Sequence, residues 1–161
     1  MKKQKGFSLI ELLIVVAIIL IIAAIAIPNL LRSRMAANEA SAVGSLRTIN
    51  TAEVTYSTTY PTQGFASLAS LGGAASTCAT ATGATSTTAC LIDNVLASTA
   101  VKSGYAFTAT AGGGTPAVTY TSTALPSVVG QSGQRAFCSD QSGVIRYNAG
   151  GTACANTDSA L

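Results

Sequence analysis

Residues 1–31 read MKKQKGFSLIELLIVVAIILIIAAIAIPNLL, a basic start followed by a long apolar run. Its three lysines lie within the first six residues, and sixteen consecutive apolar residues run from Leu12 to Ile27. Phe7–Leu31 contains 25 residues, whereas about 20 are needed to cross a bilayer as a helix. A basic start followed by an apolar run predicts that the lysines stay in the cytoplasm while the helix enters the membrane.

The composition of the chain leaves little room for catalysis. The 161 residues include no histidine, which excludes Ser-His-Asp and Cys-His catalysis and every histidine-based metal site. The six acidic residues show no metal-ligand spacing, and the Gly112–Gly114 triplet lacks the strand-to-helix context of a phosphate-binding loop. We therefore expect no enzyme, no catalytic residue, no cofactor and no metal site.

The net charge of +3 comes from the N-terminal lysines alone. Beyond Gly6 the chain has six basic and six acidic side chains, so the body is electrically balanced. Because nucleic-acid binding depends on an excess of positive charge, we expect no specific nucleic-acid partner.

Glu11 distinguishes three interpretations of the N-terminus. An ordinary signal peptide cut after Ala26 and a plain membrane anchor both leave it unexplained, because a carboxylate within an apolar helix costs about 2.5–3.5 kcal/mol on insertion scales. No Lys or Arg lies within the apolar run before Arg32. A cut after Gly6 would create a cationic α-amine on Phe7 and would remove all three lysines.

Residues 5–12, KGFSLIEL, resemble the prepilin cleavage and methylation motif that type IV pilins share with type II secretion pseudopilins, and the similarity extends through Pro28. The resemblance implies that a prepilin peptidase cleaves after Gly6 and N-methylates Phe7. It also implies that the apolar segment is retained, first as a membrane anchor and later in a filament core. Glu11 would then pair with the Phe7 amine of a neighbouring subunit, with the amine of its own chain as the alternative.

The same resemblance implies where the chain is found and what it binds. It would be a single-pass protein of the bacterial inner membrane, with a cytoplasmic N-terminus, and would then enter an extracellular pilus at the cell surface. Its partners would be other copies of itself in a helical homopolymer, the prepilin peptidase and the pilus assembly machinery. Adhesion and twitching motility are among the roles of such pili.

Two other functions compete with a major pilin of a type IV pilus. One is a pseudopilin of a type II secretion system. Major pseudopilins commonly have an acidic calcium loop near the C-terminus, whereas the C-terminal third of this chain has only two acidic residues, Asp140 and Asp158. The second is a secreted monomeric binding module cut after Ala26, which leaves Glu11 unexplained. Four cysteines and these few acidic residues favour the pilin.

Pro28 is expected to bend a long helix, because proline removes a backbone hydrogen bond; the alternative is that it ends a first helix. Beyond it, apolar spacing continues to Tyr60–Pro61, where the helix should stop. A helix over Phe7–Tyr60 would be about 80 Å long, and its apolar half would protrude. The face predicted to contact a core contains Ala42, Leu46, Ile49, Tyr56 and Tyr60, with Glu53 filling the gap.

The composition of residues 61–161 differs from that of the helix: it is rich in Gly, Ser, Thr and Ala and contains clusters of residues that favour β-strands. Four strands are predicted, at 103–111, 117–122, 134–139 and 144–147. We expect an α+β, type IV pilin-like fold, in which the second half of the helix packs on a small antiparallel sheet of three or four strands. The predicted organisation is a leader at 1–6, a transmembrane and filament-core helix at 7–31, an amphipathic helix at 32–60 and a β-rich globular region at 61–161.

Four cysteines in an exported body predict two disulfides, for which three connectivities exist. Short loops containing Gly and Ser favour Cys78–Cys90 and Cys138–Cys154, and a crossed pattern remains open. The second pair resembles the carboxy-terminal disulfide loop of many pilins.

Overall fold

The computed structural model describes residues 7–79 and 83–161, so the predicted leader and Gly6 lie outside the described residues. The chain divides into two units, Met1–Arg34 and Met35–Leu161. One helix, α1, runs from Leu9 to Thr59. It continues through Pro28 and ends just before Tyr60–Pro61, where the proline disfavours a helical residue.

The part of α1 in the first unit exposes its side chains. Every residue from 7 to 34 is exposed except the half-buried Ala23. The most apolar 18-residue window of α1 has a mean hydropathy of 3.3 and no buried residue. Among the described residues, α1 is the one helix that is long and apolar enough to cross a membrane.

The second unit buries one face of α1. Ala42, Leu46 and Ile49 are fully buried and Tyr56 is nearly so, as their spacing predicts, and Tyr60 packs at the edge of the core. Positions three and four residues apart share one side of a helix, which explains why the face also includes residues of other types. Glu53, predicted to fill the gap in this face, is buried, and the further buried residues are Glu39, Val43, Ser45 and Ala52.

In the described part of the chain, the sheet contains six antiparallel strands in the order β1-β2-β3-β4-β5-β6. The expected α+β class and the antiparallel sheet are confirmed, and the strand count of three or four was too low. The two strands missed from the sequence, β1 and β6, are two residues long and lie at the edges. The strands are Val101–Lys102, Tyr105–Gly112, Thr119–Pro126, Ala136–Asp140, Arg146–Asn148 and Ser159–Ala160.

Strands β2 and β3 form the longest pair, with Tyr105 opposite Pro126 and Gly112 opposite Thr119. Side chains of β2 alternate across the sheet, so Tyr105 and Phe107 point into the core with α1. Burying an aromatic or aliphatic side chain of this kind contributes about 1.5–3 kcal/mol. The sheet and the second part of α1 therefore share one hydrophobic core.

The segment between α1 and the sheet is mostly irregular. It contains two four-residue helices, α2 (Leu68–Leu71) and α3 (Ala75–Cys78), and a π-helical turn at Val95–Thr99. The structure pairs Cys78 with Cys90 in this segment and Cys138 with Cys154 near the C-terminus. In both disulfides the Cα atoms lie 5.6 Å apart.

Candidate assembly site

The first turn of α1 positions Glu11. Its Oε2 accepts a hydrogen bond from the backbone N–H of Ser8 at 2.9 Å, and the N–H of Leu12 donates to the Ser8 carbonyl oxygen at 3.3 Å. A serine before a helix and a glutamate three residues later form a capping arrangement that satisfies an otherwise unpaired N–H. Sequence reasoning missed this partner, although the Ser-x-x-Glu signature is visible in the sequence.

This capping bond places the carboxylate at the start of α1. Negative charge is favoured there, because the unpaired N–H groups make the N-terminus of a helix partly positive. Phe7, one residue before Ser8, is 78% exposed. If the chain is cut after Gly6, the new Phe7 amine arises at the same end of the helix as the Glu11 carboxylate.

The apolar surface that follows Glu11 is continuous. The large apolar side chains from Leu9 to Leu31 are 43–73% exposed. A monomeric soluble protein rarely exposes contiguous apolar patches larger than a few hundred Å². This surface is therefore suited to contact with lipid or with other apolar helices.

Pro28 lies inside the helix, within this apolar surface. Because proline has no N–H, the carbonyl oxygen of Ala24 lacks its helical donor. A bend of the helix axis at Pro28 stays a prediction.

A partly buried ion pair connects α1 to the residues just before β4 in the second unit. Glu39 Oε1 accepts from the N–H groups of Gln134 at 2.9 Å and Arg135 at 3.1 Å, and Arg135 Nε and Nη2 both lie 2.8 Å from Oε2. The guanidinium also lies 5.4 Å from the ring centroid of Phe137 and 5.5 Å from that of Tyr147. Burial alone raises the pKa of Glu39, but the hydrogen bonds and the guanidinium charge outweigh burial and hold the pKa below its ordinary value.

The described residues contain no group of three or more Asp, Glu, Cys or His side chains that could hold a metal ion. All four cysteines form disulfides. The candidate assembly site consists of Phe7, Glu11, Pro28 and the exposed apolar surface of α1, and it offers a surface for contact.

Comparison with known proteins agrees with this description of the N-terminus. The model of the prokaryotic N-terminal methylation motif matches residues 1–27. The type IV wide pilus major component PilA4 of Thermus thermophilus is 64% identical over 39 residues, which are 24% of this chain and 30% of PilA4. The type IV major pilin PilA of Myxococcus xanthus is 44% identical over 54 residues, which are 34% of this chain and 24% of that protein.

The chain thus spans less than a third of the length of either relative. No solved structure shows significant similarity to it. The chain carries a prepilin-type N-terminal methylation motif at the start of a long apolar helix, and its N-terminal segment is similar to those of type IV major pilins.

Proposed function

We propose that this chain is a structural subunit, the major pilin, of a type IV pilus, and that it polymerises through α1. The observation that carries the proposal is the methylation motif on a helix whose large apolar side chains remain 43–73% exposed. Such a surface needs a bilayer or a second copy to cover it. Contacts that repeat between unlike surfaces of identical subunits, with a rotation that does not close, produce a fibre.

Processing at the N-terminus prepares the subunit for assembly. A prepilin peptidase cleaves after Gly6 and N-methylates Phe7, and the lysine-rich leader at 1–6 is lost. Before assembly, residues 7–31 anchor the chain in the bacterial inner membrane with a cytoplasmic N-terminus. Residues 32–60 continue as an amphipathic helix into the disulfide-containing β-rich region at 61–161, and the assembled subunit becomes part of an extracellular pilus.

Glu11 provides the charge that fixes subunits in the filament. The structure places its carboxylate at the start of α1, where it already accepts one N–H. The Phe7 amine of a neighbouring subunit would neutralise it in a dry core, and pairing with the amine of its own chain is the alternative. The missing N–H at Pro28 lets the helix bend as subunits pack around one another.

A pseudopilin of a type II secretion system is the second candidate, since the motif is shared. The few acidic residues near the C-terminus favour the pilin. Asp140 accepts hydrogen bonds from the Ser142 N–H and hydroxyl, whereas the Asp158 carboxylate accepts from the Asn148 amide and the Ala155 N–H. Each carboxylate thus accepts hydrogen bonds from residues near it in the sequence, and the described residues contain no acidic cluster suited to calcium.

Shearing of cell surfaces tests this function directly. Cells that express the chain together with a type IV pilus machinery should release filaments that antibodies against residues 61–161 label in electron micrographs. Glu11→Gln should reduce the sheared filaments at least tenfold without changing the amount of processed subunit in the membrane. Ser8→Ala is the matched control, because Glu11 bonds the backbone N–H of Ser8. Processed subunit without any filaments would instead support the pseudopilin.

A further inference from the structure

Glu53 is a fully buried carboxyl group, and none of the described residues forms an ion pair with it. Its side chain lies on the core face of α1 with Ile49 and Tyr56, and its exposed fraction is 0%. Oε2 accepts a hydrogen bond from the Ala66 N–H at 2.9 Å. Oε1 is buried and has no hydrogen-bond partner in the part of the chain that the structure describes. A carboxylate left in this state is costly, because burial removes the water that would stabilise its charge.

The groups around Glu53 do not offset that cost. Tyr56 on α1 and Tyr120 on β3 are the titratable groups that interact with Glu53, and Asp140 on β4 lies close enough to act on Tyr120. None of these groups is a cation, and the hydroxyl groups of Tyr56 and Tyr120 donate their hydrogen bonds to other acceptors rather than to Glu53. Burial raises the pKa of Glu53 to about 7, although the Ala66 N–H partly opposes this. Burial, Glu53 and Asp140 likewise raise the pKa of Tyr120 to about 12.

Glu39, on the same helix face, has the opposite environment. It accepts two backbone N–H groups and faces the Arg135 guanidinium, so its charged form is favoured and its pKa is lowered. The two buried glutamates of α1 therefore change charge in different pH ranges. Of these two glutamates, it is Glu53 whose pKa lies near neutrality.

The Ala66 N–H belongs to the loop that follows α1, residues 60–67, here called the latch loop. Its other fixed points are on the sheet side: Phe65 N donates to Ala117 O at 3.0 Å, and Ala117 N donates to Gln63 O at 2.8 Å. The Phe65 ring also contacts Tyr120, with the centroids 4.9 Å apart. Glu53 is thus the side chain of α1 that holds the loop onto the helix by a hydrogen bond.

Gly64 shows how closely the latch loop is held. Its φ is +78°, and a Cβ at this position would overlap the backbone of Ala117. The loop therefore packs closely against Ala117, which lies two residues before β3. Opening of the loop would bring water to the Glu53 carboxyl group.

We propose that Glu53 is a proton-operated latch: the neutral carboxyl group keeps the latch loop seated on α1, and ionisation favours release of the loop. In the closed state the buried carboxyl group holds its proton more tightly than in the open, hydrated state. The closed loop therefore binds a proton that the open loop gives up near neutrality, and rising pH shifts the equilibrium toward the open state.

The size of the effect follows from the pKa values of the two states. With a pKa of about 7 closed and the ordinary 4.5 open, the opening equilibrium constant rises roughly 70-fold between pH 5 and pH 8. A group with the same pKa in both states gives no change. A hydrogen-exchange measurement readily distinguishes a change of this size from no change.

Amide hydrogen exchange on the full chain in detergent micelles tests the latch. Protection factors, which are corrected for the intrinsic pH dependence of exchange, should fall at Phe65 and Ala66 by roughly 70-fold from pH 5 to pH 8. Glu53→Gln should abolish that fall, because the amide cannot ionise. Glu39→Gln, a matched substitution on the same helix face, should retain it.

Two results would overturn the latch. One is a protection factor in the unmodified chain that changes less than threefold over this pH range, and the other is an unchanged fall in Glu53→Gln. If Glu53→Gln does not fold, the carboxyl carbon of Glu53 in the unmodified chain decides by ¹³C NMR. A titration midpoint near 7 supports the latch, and a midpoint below 5 contradicts it.

Discussion

Replacement of Glu39 by alanine tests the contact that joins α1 to the sheet. The substitution removes the acceptor of two backbone N–H groups and the partner of the Arg135 guanidinium. Hydrogen bonds to a charged group contribute about 1.5–3 kcal/mol each, and both amides would be left in a partly buried site. Arg135 is 40% exposed, so its ion pair adds less than about 1 kcal/mol. We expect Glu39→Ala to lower the free energy of unfolding by about 3 kcal/mol.

Lys102→Ala is the matched control. Its Nζ lies 2.9 Å from Asp93 Oδ2, as short as the contacts of Glu39, but the two side chains are 40% and 45% exposed. An exposed pair of this kind contributes at most about 1 kcal/mol. Urea unfolding of the full chain in detergent micelles, followed by circular dichroism, measures both variants. Equal losses in the two variants would refute the argument that burial and backbone acceptors make the Glu39 contact strong.

The pH dependence of the Glu39 effect has a definite sign. Because the folded-state pKa of Glu39 is lowered, its stabilisation is present above the ordinary pKa of 4.5 and is lost as pH falls through the folded-state pKa. The difference in stability between the unmodified chain and Glu39→Ala should therefore narrow in acid. A difference that widens below pH 4.5 would contradict the charged, hydrogen-bonded carboxylate.

Three further predictions concern stability. Burial raises the pKa of Glu53 from 4.5 to about 7, so the free energy of unfolding should fall by about 3 kcal/mol as the pH rises from 4.5 to 7. In urea titrations at several pH values, Glu53→Gln should not show this fall. Gly133→Ala should lower the free energy of unfolding by about 2 kcal/mol, because a Cβ there overlaps a buried tyrosine hydroxyl. Gly44→Ala lies on open helix surface and should raise the free energy of unfolding by about 0.5–1 kcal/mol. Equal shifts of the melting temperature in the two variants would contradict this difference. The Cys138–Cys154 bond joins residues 16 positions apart. Replacing both cysteines by serine should lower the free energy of urea unfolding by about 3 kcal/mol, and a decrease below about 1 kcal/mol would contradict this prediction.

The sequence predicted the parts of the fold that carry a regular pattern. The apolar spacing identified the core face of α1, and the alternating segments identified the four longer strands. The edge strands β1 and β6 were not predicted, because a strand of two residues is too short to show an alternating pattern. Their pairing depends on longer neighbours that are present only in the folded sheet.

Tertiary contacts of single polar residues were harder to predict. Glu39 and Arg135 are 96 residues apart in the sequence, and no local signal connects them. Glu53 was recognised only as the residue that completes a helical face, and its complete burial beside Ala66 depends on the path of the following loop. Ser8 and Glu11 are different, because their spacing already matches a capping box and the contact could have been predicted.

The intact mass and N-terminal fragmentation of protein sheared from cell surfaces would show whether the mature subunit contains the apolar helix. We predict a chain that begins at N-methylated Phe7 and contains the apolar helix, with a mass four hydrogens below that of the reduced chain because of its two disulfides. A chain that begins at Ile27 would contradict the account, because the helix proposed to build the filament would have been removed as a signal peptide.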